Sequence, residues 1–260
     1  MMALLEGRFG KGIFISATGT EIGKTVVASG ISHWMHIHKS GTTALWKPVQ
    51  SGVELGTVEA DSYRLLKGSG LTNVEERDLV TWTFDEPLAP WAAAKREGLD
   101  IDMAELIAEG ERRLRAVDRL VVEGAGGVAV PFHARHTMAD LSAALQLPML
   151  IVAAPLLGTV SHTVTAVQYA RSKGVKDVAV LFSAAGITPT TYLNNNAYEQ
   201  QLHENAEMIE SLAEVSVLGA VPYLPHPNRM DEEMWSNWRK AWLRETAHIT
   251  ALYDWLNVRL

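Results

Sequence analysis

An apolar run from Gly12 to Ala17 passes directly into Thr18-Gly19-Thr20-Glu21-Ile22-Gly23-Lys24-Thr25, and from there into the helical pattern Val-Val-Ala-Ser-Gly. A strand that turns through glycines into Gly-Lys-Thr at a helix start is the context of a phosphate-binding loop. The helix N-terminus offers unpaired backbone N–H groups and the positive end of the helix dipole, both suited to a polyphosphate. Gly23 lets the backbone come close, Lys24 can reach the terminal phosphate oxygens, and the Thr25 hydroxyl can ligate Mg²⁺. The strict pattern wants glycine six residues before the lysine. Thr18 stands there and Ala17 one place earlier, so the loop is altered in its first half and intact in its second.

Such a loop belongs on a parallel sheet, and the rest of the chain reads that way. Short runs apolar on both faces are expected as buried strands at Gly12–Ala17, Thr43–Pro48, Arg119–Glu123, Met149–Ala153, Val178–Phe182 and Ser216–Val221. Helical patterns alternate with them at Lys24–Lys39, Asp102–Ala116, Thr159–Lys173 and Tyr192–Glu214. The expected fold class is therefore α/β, P-loop NTPase-like, with a mostly parallel central sheet flanked by helices. Three prolines in Pro222–Pro227 stop regular structure. Beyond them Trp235, Trp238 and Trp242 recur at i, i+3 and i+7 on one helical face. The expected organisation is a body over 1–227 and a C-terminal helical extension over 228–260 packed on it, with a dimer or partner contact as the other reading of the tryptophan face.

Composition removes several function classes. A net charge of −7 argues against a nucleic-acid surface, and the absence of cysteine excludes disulfides, zinc–thiolate sites and a cysteine nucleophile. Neither His33/His36/His38 nor His133/His136 has the spacing of a zinc site. Arg112, Arg113 and Arg115 read as a solvated helix face. The longest apolar run, Leu147–Leu157, is broken by prolines and too short to span a bilayer, and the start of the chain is too short and acidic for a signal peptide. No membrane association and a cytoplasmic location are expected.

A P-loop protein also needs a second carboxylate for its metal, at the end of another strand. Leu120-Val121-Val122-Glu123 running into Gly124-Ala125-Gly126-Gly127 supplies one, with Glu in the place of the usual Asp. Asp61 is a second candidate, and Lys47, in Trp46-Lys47-Pro48-Val49-Gln50-Ser51-Gly52, ends a strand at the same sheet edge.

Taken together, Ala17–Thr25, Lys47–Gly52, Asp61 and Val122–Gly127 resemble the dethiobiotin synthetase family. Phe84–Pro90, Leu157-Gly158-Thr159 and Gly219–Pro222 extend the resemblance over about residues 11–227. It implies an ATP- and Mg²⁺-dependent ligase of biotin synthesis that joins CO₂ to a diaminononanoate and closes a cyclic urea. A carbamate would attack the γ-phosphate to give a carbamic–phosphoric anhydride, and the second amine would displace phosphate. The resemblance implies catalytic roles for Lys47 and Lys24 and metal binding by Thr25, Asp61 and Glu123. It implies nucleotide contacts at Glu21, Ile22, Gly23, Lys24, Thr25, Val26, Asp61, Glu123, Gly124, Ala125, Gly126, Ser183, Pro222, Tyr223 and Leu224. Substrate contacts would lie at Thr20, Ser51, Gly127, Gly158, Thr159 and Val160, the last three reaching a partner subunit's substrate, which implies a homodimer.

The chain departs from the family at three places. The family's Gly and Asp in the phosphate loop are Ala17 and Gly19, which removes a carboxylate that would face a diamine. Ser183 stands where the family has its adenine-reading asparagine, and a hydroxyl cannot reproduce a two-sided amide contact. A relaxed nucleobase preference is expected, with the backbone at Pro222, Tyr223 and Leu224 carrying part of the reading. The tryptophan-rich tail is longer than the family needs. The alternatives are a partition-type or regulatory ATPase and a degenerate homologue with an altered substrate. An amide ligase of the cobyrinate type would need a glutaminase cysteine that this chain lacks.

Overall fold

The computed structural model describes residues 11–185 and 195–260, with side chains from Tyr198 onward in the second stretch. The described chain alternates strands and helices: β1 (Lys11–Ala17), α1 (Lys24–His38), β2 (Thr43–Ser51), α2 (Asp61–Ser69), α3 (Glu76–Leu79), β3 (Val80–Phe84), α4 (Pro90–Arg96), α5 (Met103–Ala116) and β4 (Arg119–Glu123). It continues through α6 (Met138–Ala144), β5 (Met149–Ala153), α7 (Thr159–Ser172), β6 (Val178–Ser183), α8 (Asn195–Ala213), β7 (Ser216–Val221), α9 (Glu232–Thr246) and α10 (Thr250–Arg259). The strands form one parallel sheet in the order β3-β2-β4-β1-β5-β6-β7.

All six expected strands are present. β2 runs on to Ser51 because it changes neighbour: Thr43–Trp46 pair with β4, and Lys47–Ser51 pair with β3. Pro48, which has no N–H to give, stands just past the last pair with β4. β3 was not expected. Its Val-Thr-Trp-Thr-Phe pattern is only half buried, as befits the sheet edge. The expected helix start at Tyr192 lies outside the described residues.

Alternate strand residues face two apolar layers, which is why the runs lack polar positions. Phe14, Trp46, Val122, Ile151 and Val180 belong to one core, and Ile13, Ile15, Val121, Leu150 and Leu181 to the other. In the second layer Trp242 is fully buried and lies on α1 at Gly30, where an added Cβ would come within 2.0 Å of the indole. Trp235 and Trp238 are buried beside it, and Arg239 donates to the Lys67 carbonyl at 2.7 Å.

Arg113 departs from the solvated reading. It reaches across to the sheet, donating to the carbonyls of Asp78 and Leu45 while its guanidinium lies over the Trp46 ring.

The strand order decides where a ligand can sit. β4 pairs with one side of β1 and β5 with the other, so the chain leaves β1 at a topological switch point. Crevices at the carboxyl ends of strands on either side of such a point are the usual ligand sites of open α/β sheets.

Candidate functional site

Residues Thr18–Gly23 leave the carboxyl end of β1 and deliver Lys24 as the first residue of α1. Gly23 caps the helix in the left-handed region, at φ 94°, and a Cβ there would meet the Ser183 hydroxyl at 2.5 Å. Backbone conformation and close approach both demand glycine at this position. Glu21 also adopts a positive φ, 57°, a conformation few non-glycine residues hold without cause.

Behind the loop four side chains from four elements converge. The Lys47 ammonium, at the point where β2 changes neighbour, donates to Asp61 Oδ2 and Glu123 Oε1, both at 2.7 Å. The Thr25 hydroxyl lies 3.0 Å from Asp61 Oδ1 and 2.9 Å from Glu123 Oε1, and its single proton can satisfy one of them at a time. Lys47 and Glu123 are almost wholly enclosed, while the Asp61 side chain stays 43% exposed.

The charges tune one another. Burial works against the Lys47 ammonium, but the two carboxylates outweigh it and hold its pKa well above the ordinary lysine value. Burial likewise opposes the Asp61 carboxylate, but Lys47, aided by Lys24 and Thr25, holds it well below the usual carboxylate range. For Glu123 burial wins and pushes the pKa up despite Lys47. Lys24 is lowered, first by burial and then by the charge of Lys47.

Glu123 Oε2 is buried with no hydrogen-bond partner among the described residues. That orphaned oxygen, with the oxygens of Thr25 and Asp61, makes a small all-oxygen donor set. Among the described residues no group of three or more His, Cys, Asp or Glu side chains gathers to hold a metal. A sparse set of hard oxygens suits Mg²⁺, which keeps most of its shell for water and phosphate.

In front of these groups opens a cleft of about 530 Å³, walled by Thr20, Glu21, Gly23, Lys24, Thr25, Val26, Asp61 and Gly126 on the loop side. Arg64, Ala185, Tyr223, Pro225 and His226 complete its lining. Ile22 packs into the apolar layer beneath the loop. Gly124 and Gly127 are buried, and Gly127 lies against the first half of the loop, 3.3 Å from Gly19 N by an added Cβ. Ala125 is partly buried against the core.

Other expected residues stand away from the cleft wall. The Ser183 hydroxyl is fully buried against Gly23 and accepts from the Ala185 N–H at 3.3 Å, so the neighbouring Ala185 meets the cleft instead. Leu224 turns its carbonyl to Trp238 Nε1, 3.2 Å away, and Pro222 faces a separate recess between α8 and β7. Ser51 donates to the Leu88 carbonyl at 2.7 Å at the end of β2. Gly158 and Val160 line a groove between α7 and α8, where Leu157 is 97% exposed, and the buried Thr159 hydroxyl has no partner among the described residues.

Arg64 and His226 lie on the cleft without any motif to announce them. Position i+3 from Asp61 puts Arg64 on the same face of α2, the one signal available for it. His226 sits in a Pro-His-Pro segment that reads as a break in structure and no more.

Comparison with known proteins adds a family to this geometry. A family described as an AAA domain matches residues 11–231. The chain is 35% identical over 214 residues to an ATP-dependent dethiobiotin synthetase of Bacillus subtilis subsp. natto, covering 82% of this chain and 88% of the relative. It is 37% identical over 212 residues to the protein of the same name from Bacillus thuringiensis strain Al Hakam, covering 82% and 83%. Among solved structures it is similar in fold to the MinC:MinD cell division complex of Aquifex aeolicus, with a TM-score of 0.56 at 13% identity over 95% of this chain and 96% of the other. A ParA family ATPase from Chlorobium tepidum follows at 0.51 and 10%, covering 96% and 98%.

Proposed function

This chain belongs to the dethiobiotin synthetase family, with an AAA-domain match over 11–231, and from that premise we propose that it uses ATP to join CO₂ to a vicinal diamine, 7,8-diaminononanoate, as a cyclic urea. The observation that carries the reading is the convergence of Lys47 on Asp61, Glu123 and Thr25 directly behind the phosphate loop.

The chemistry asks for three things. The carbamate oxygen must meet the γ-phosphate while both are anionic, so fixed positive charge has to lie between them. Lys24 at the helix start and Lys47 in the middle of β2, where the strand changes neighbour, are the two ammonium groups able to supply it. Lys47 is held by two carboxylates on a rigid strand, so its charge costs no reorganisation when the anions arrive. Thr25, Asp61 and Glu123 would hold Mg²⁺, which when bound screens the phosphate charge. The second amine then attacks the carbamoyl carbon, the C–O bond to phosphate breaks, and the amine proton leaves with solvent.

The remaining assignments follow the same reading. Glu21, Gly23 to Val26, Gly126 and Tyr223, which line the cleft, would surround the nucleotide, with Thr20 and Gly127 towards the diamine. Pro222, Leu224 and Ser51, which stand off the cleft wall, would act only through the segments they belong to. With Ser183 turned to Gly23, no side-chain amide is among the described residues lining the cleft, which supports a relaxed base preference. The groove beside Gly158, Thr159 and Val160, rimmed by exposed Leu157, Met208 and Leu212, supports a homodimer through α7 and α8. No described helix is long and apolar enough to cross a membrane, in keeping with the cytoplasmic site proposed for it.

The test mixes purified protein with diaminononanoate, bicarbonate, Mg²⁺ and each nucleoside triphosphate in turn. Cyclic urea should form with one phosphate released per ring, with more than one nucleotide, and chelation of Mg²⁺ should stop it. Phosphate release without urea would move the reading to a switch ATPase. No urea with any nucleotide would end it.

A further inference from the structure

Asp61 and Arg64 sit three residues apart on one face of α2, and both line the nucleotide cleft. Asp61 is committed: one oxygen takes Lys47 and the other takes Thr25. Arg64 is only half committed. Its Nε donates to the Val58 carbonyl at 2.7 Å, which fixes the plane of the guanidinium, and it makes no ion pair among the described residues. Its terminal nitrogens therefore have donors to spare at the cleft wall.

The neighbour on that wall does nothing to neutralise it. His226 packs at a tilt against Trp235 and Trp238, with ring centroids 5.2 and 4.6 Å away, and its Nε2 is buried without a partner among the described residues. Burial, and then the charge of Arg64, push this imidazole down to about 3, so a neutral ring stands beside the guanidinium. A planar cation anchored by one nitrogen, facing a cleft and flanked by a neutral ring, is built for an oxyanion that offers two oxygens.

From this, the geometry points to Arg64 as a phosphate-chain residue: anchored by Val58 and backed by His226 on its tryptophan shelf, it grips the polyphosphate from the part of the cleft wall that α2 supplies. This assignment rests on the nucleotide reading above. It adds a third positive group to the phosphate charge, and makes the tail, through His226, part of the nucleotide site. Arg64 acts here on binding and positioning.

Equilibrium binding of ATP, ADP and adenosine in Mg²⁺ separates the possibilities. Arg64→Ala should raise the Kd of ATP and ADP by about 10–100-fold, the cost of one charge-assisted pair of contacts, and leave adenosine within about twofold. Arg64→Lys should recover part of the loss, since charge survives and the fork does not. A second variant, His226→Ala, should reduce ATP affinity less than Arg64→Ala. ATP and ADP binding unchanged in Arg64→Ala, or an equal loss for adenosine, would overturn the assignment. If Arg64→Ala does not fold, the ATP-to-adenosine ratio of Arg64→Lys decides by the same criteria. Wild-type protein that binds no nucleotide at all would remove the functional reading as well, whereas normal wild-type turnover with an indifferent Arg64 would remove this inference alone.

Discussion

At the scale of single residues, the ion network gives Lys47, the lysine proposed for catalysis, a structural role as well. Glu123 is fully enclosed, and its nearest positive charge is Lys47. A buried carboxylate that loses its partner costs about 3–5 kcal/mol unless it takes up a proton. Lys47→Met should therefore do two things at once. Urea formation should fall by about 10³-fold, the scale of losing a fixed charge at a developing anion. The urea-unfolding midpoint should fall too, and Mg²⁺ with ATP should restore much of it, because Asp61 and Glu123 would hold the cation and its charge would offset theirs. A variant with normal turnover would refute the role, and loss of nucleotide binding in the folded variant would contradict the division of labour between Lys47 and Lys24.

At the scale of elements, the close contacts fall where side chains are smallest. Gly68 on α2 faces Ser29 on α1, and Gly30 accepts the flat face of Trp242 from α9. Helix α1, which carries Lys24 and Thr25, is thus gripped on its outer side by α2 and the tail. Trp242→Ala should leave a large cavity against α1 and cost about 3–5 kcal/mol, read from denaturant unfolding. Gly30→Leu should be at least as damaging, since the side chain has nowhere to go. Intact stability in either variant would mean that the tail contributes little to holding α1.

These elements were unevenly legible. The buried strands announced themselves because parallel strands covered on both faces must be apolar throughout. The edge strand β3 did not, with Thr81 and Thr83 interleaved among its aromatics. The short helix α6 carries a capping box, Thr137 with Asp140, that was readable in principle. Helix α2 had no such cue, so Asp61 was found as a carboxylate near a motif and Arg64 was not found.

At the scale of the whole molecule, the tail and the body meet at His226, and pH should reveal the joint. Its pKa is depressed to about 3 from an unfolded value near 6.5. A depressed folded pKa means the unfolded chain binds more protons in between, so the stability from a neutral His226 is whole above pH 6.5 and drains away as pH falls towards 3. Between pH 7 and 5 the loss is on the order of 1–2 kcal/mol, and His33, lowered chiefly by burial, adds in the same direction. Thermal melts of wild type should decline over this interval, and His226→Phe, which keeps a ring packed against Trp235 and Trp238, should flatten part of the decline. Parallel curves for the two proteins would dismiss His226 as the cause.

The sequence by itself determined the local pieces: a strand, a loop whose Glu21–Thr25 half is intact, a helix start, and apolar runs long enough for a buried parallel sheet. These are legible because they depend on neighbours within a few residues, through backbone sterics and periodicity. Only the tertiary structure decided what those pieces face. Lys47 meets Asp61 across 14 residues and Glu123 across 76, because β4 lies between β1 and β2 in the sheet. Ser183 turns to Gly23 and leaves the cleft to Ala185, while Arg64 and His226, 162 positions apart by number, line the same cleft. Such pairings are set by strand order and helix packing, and no spacing along the chain encodes them.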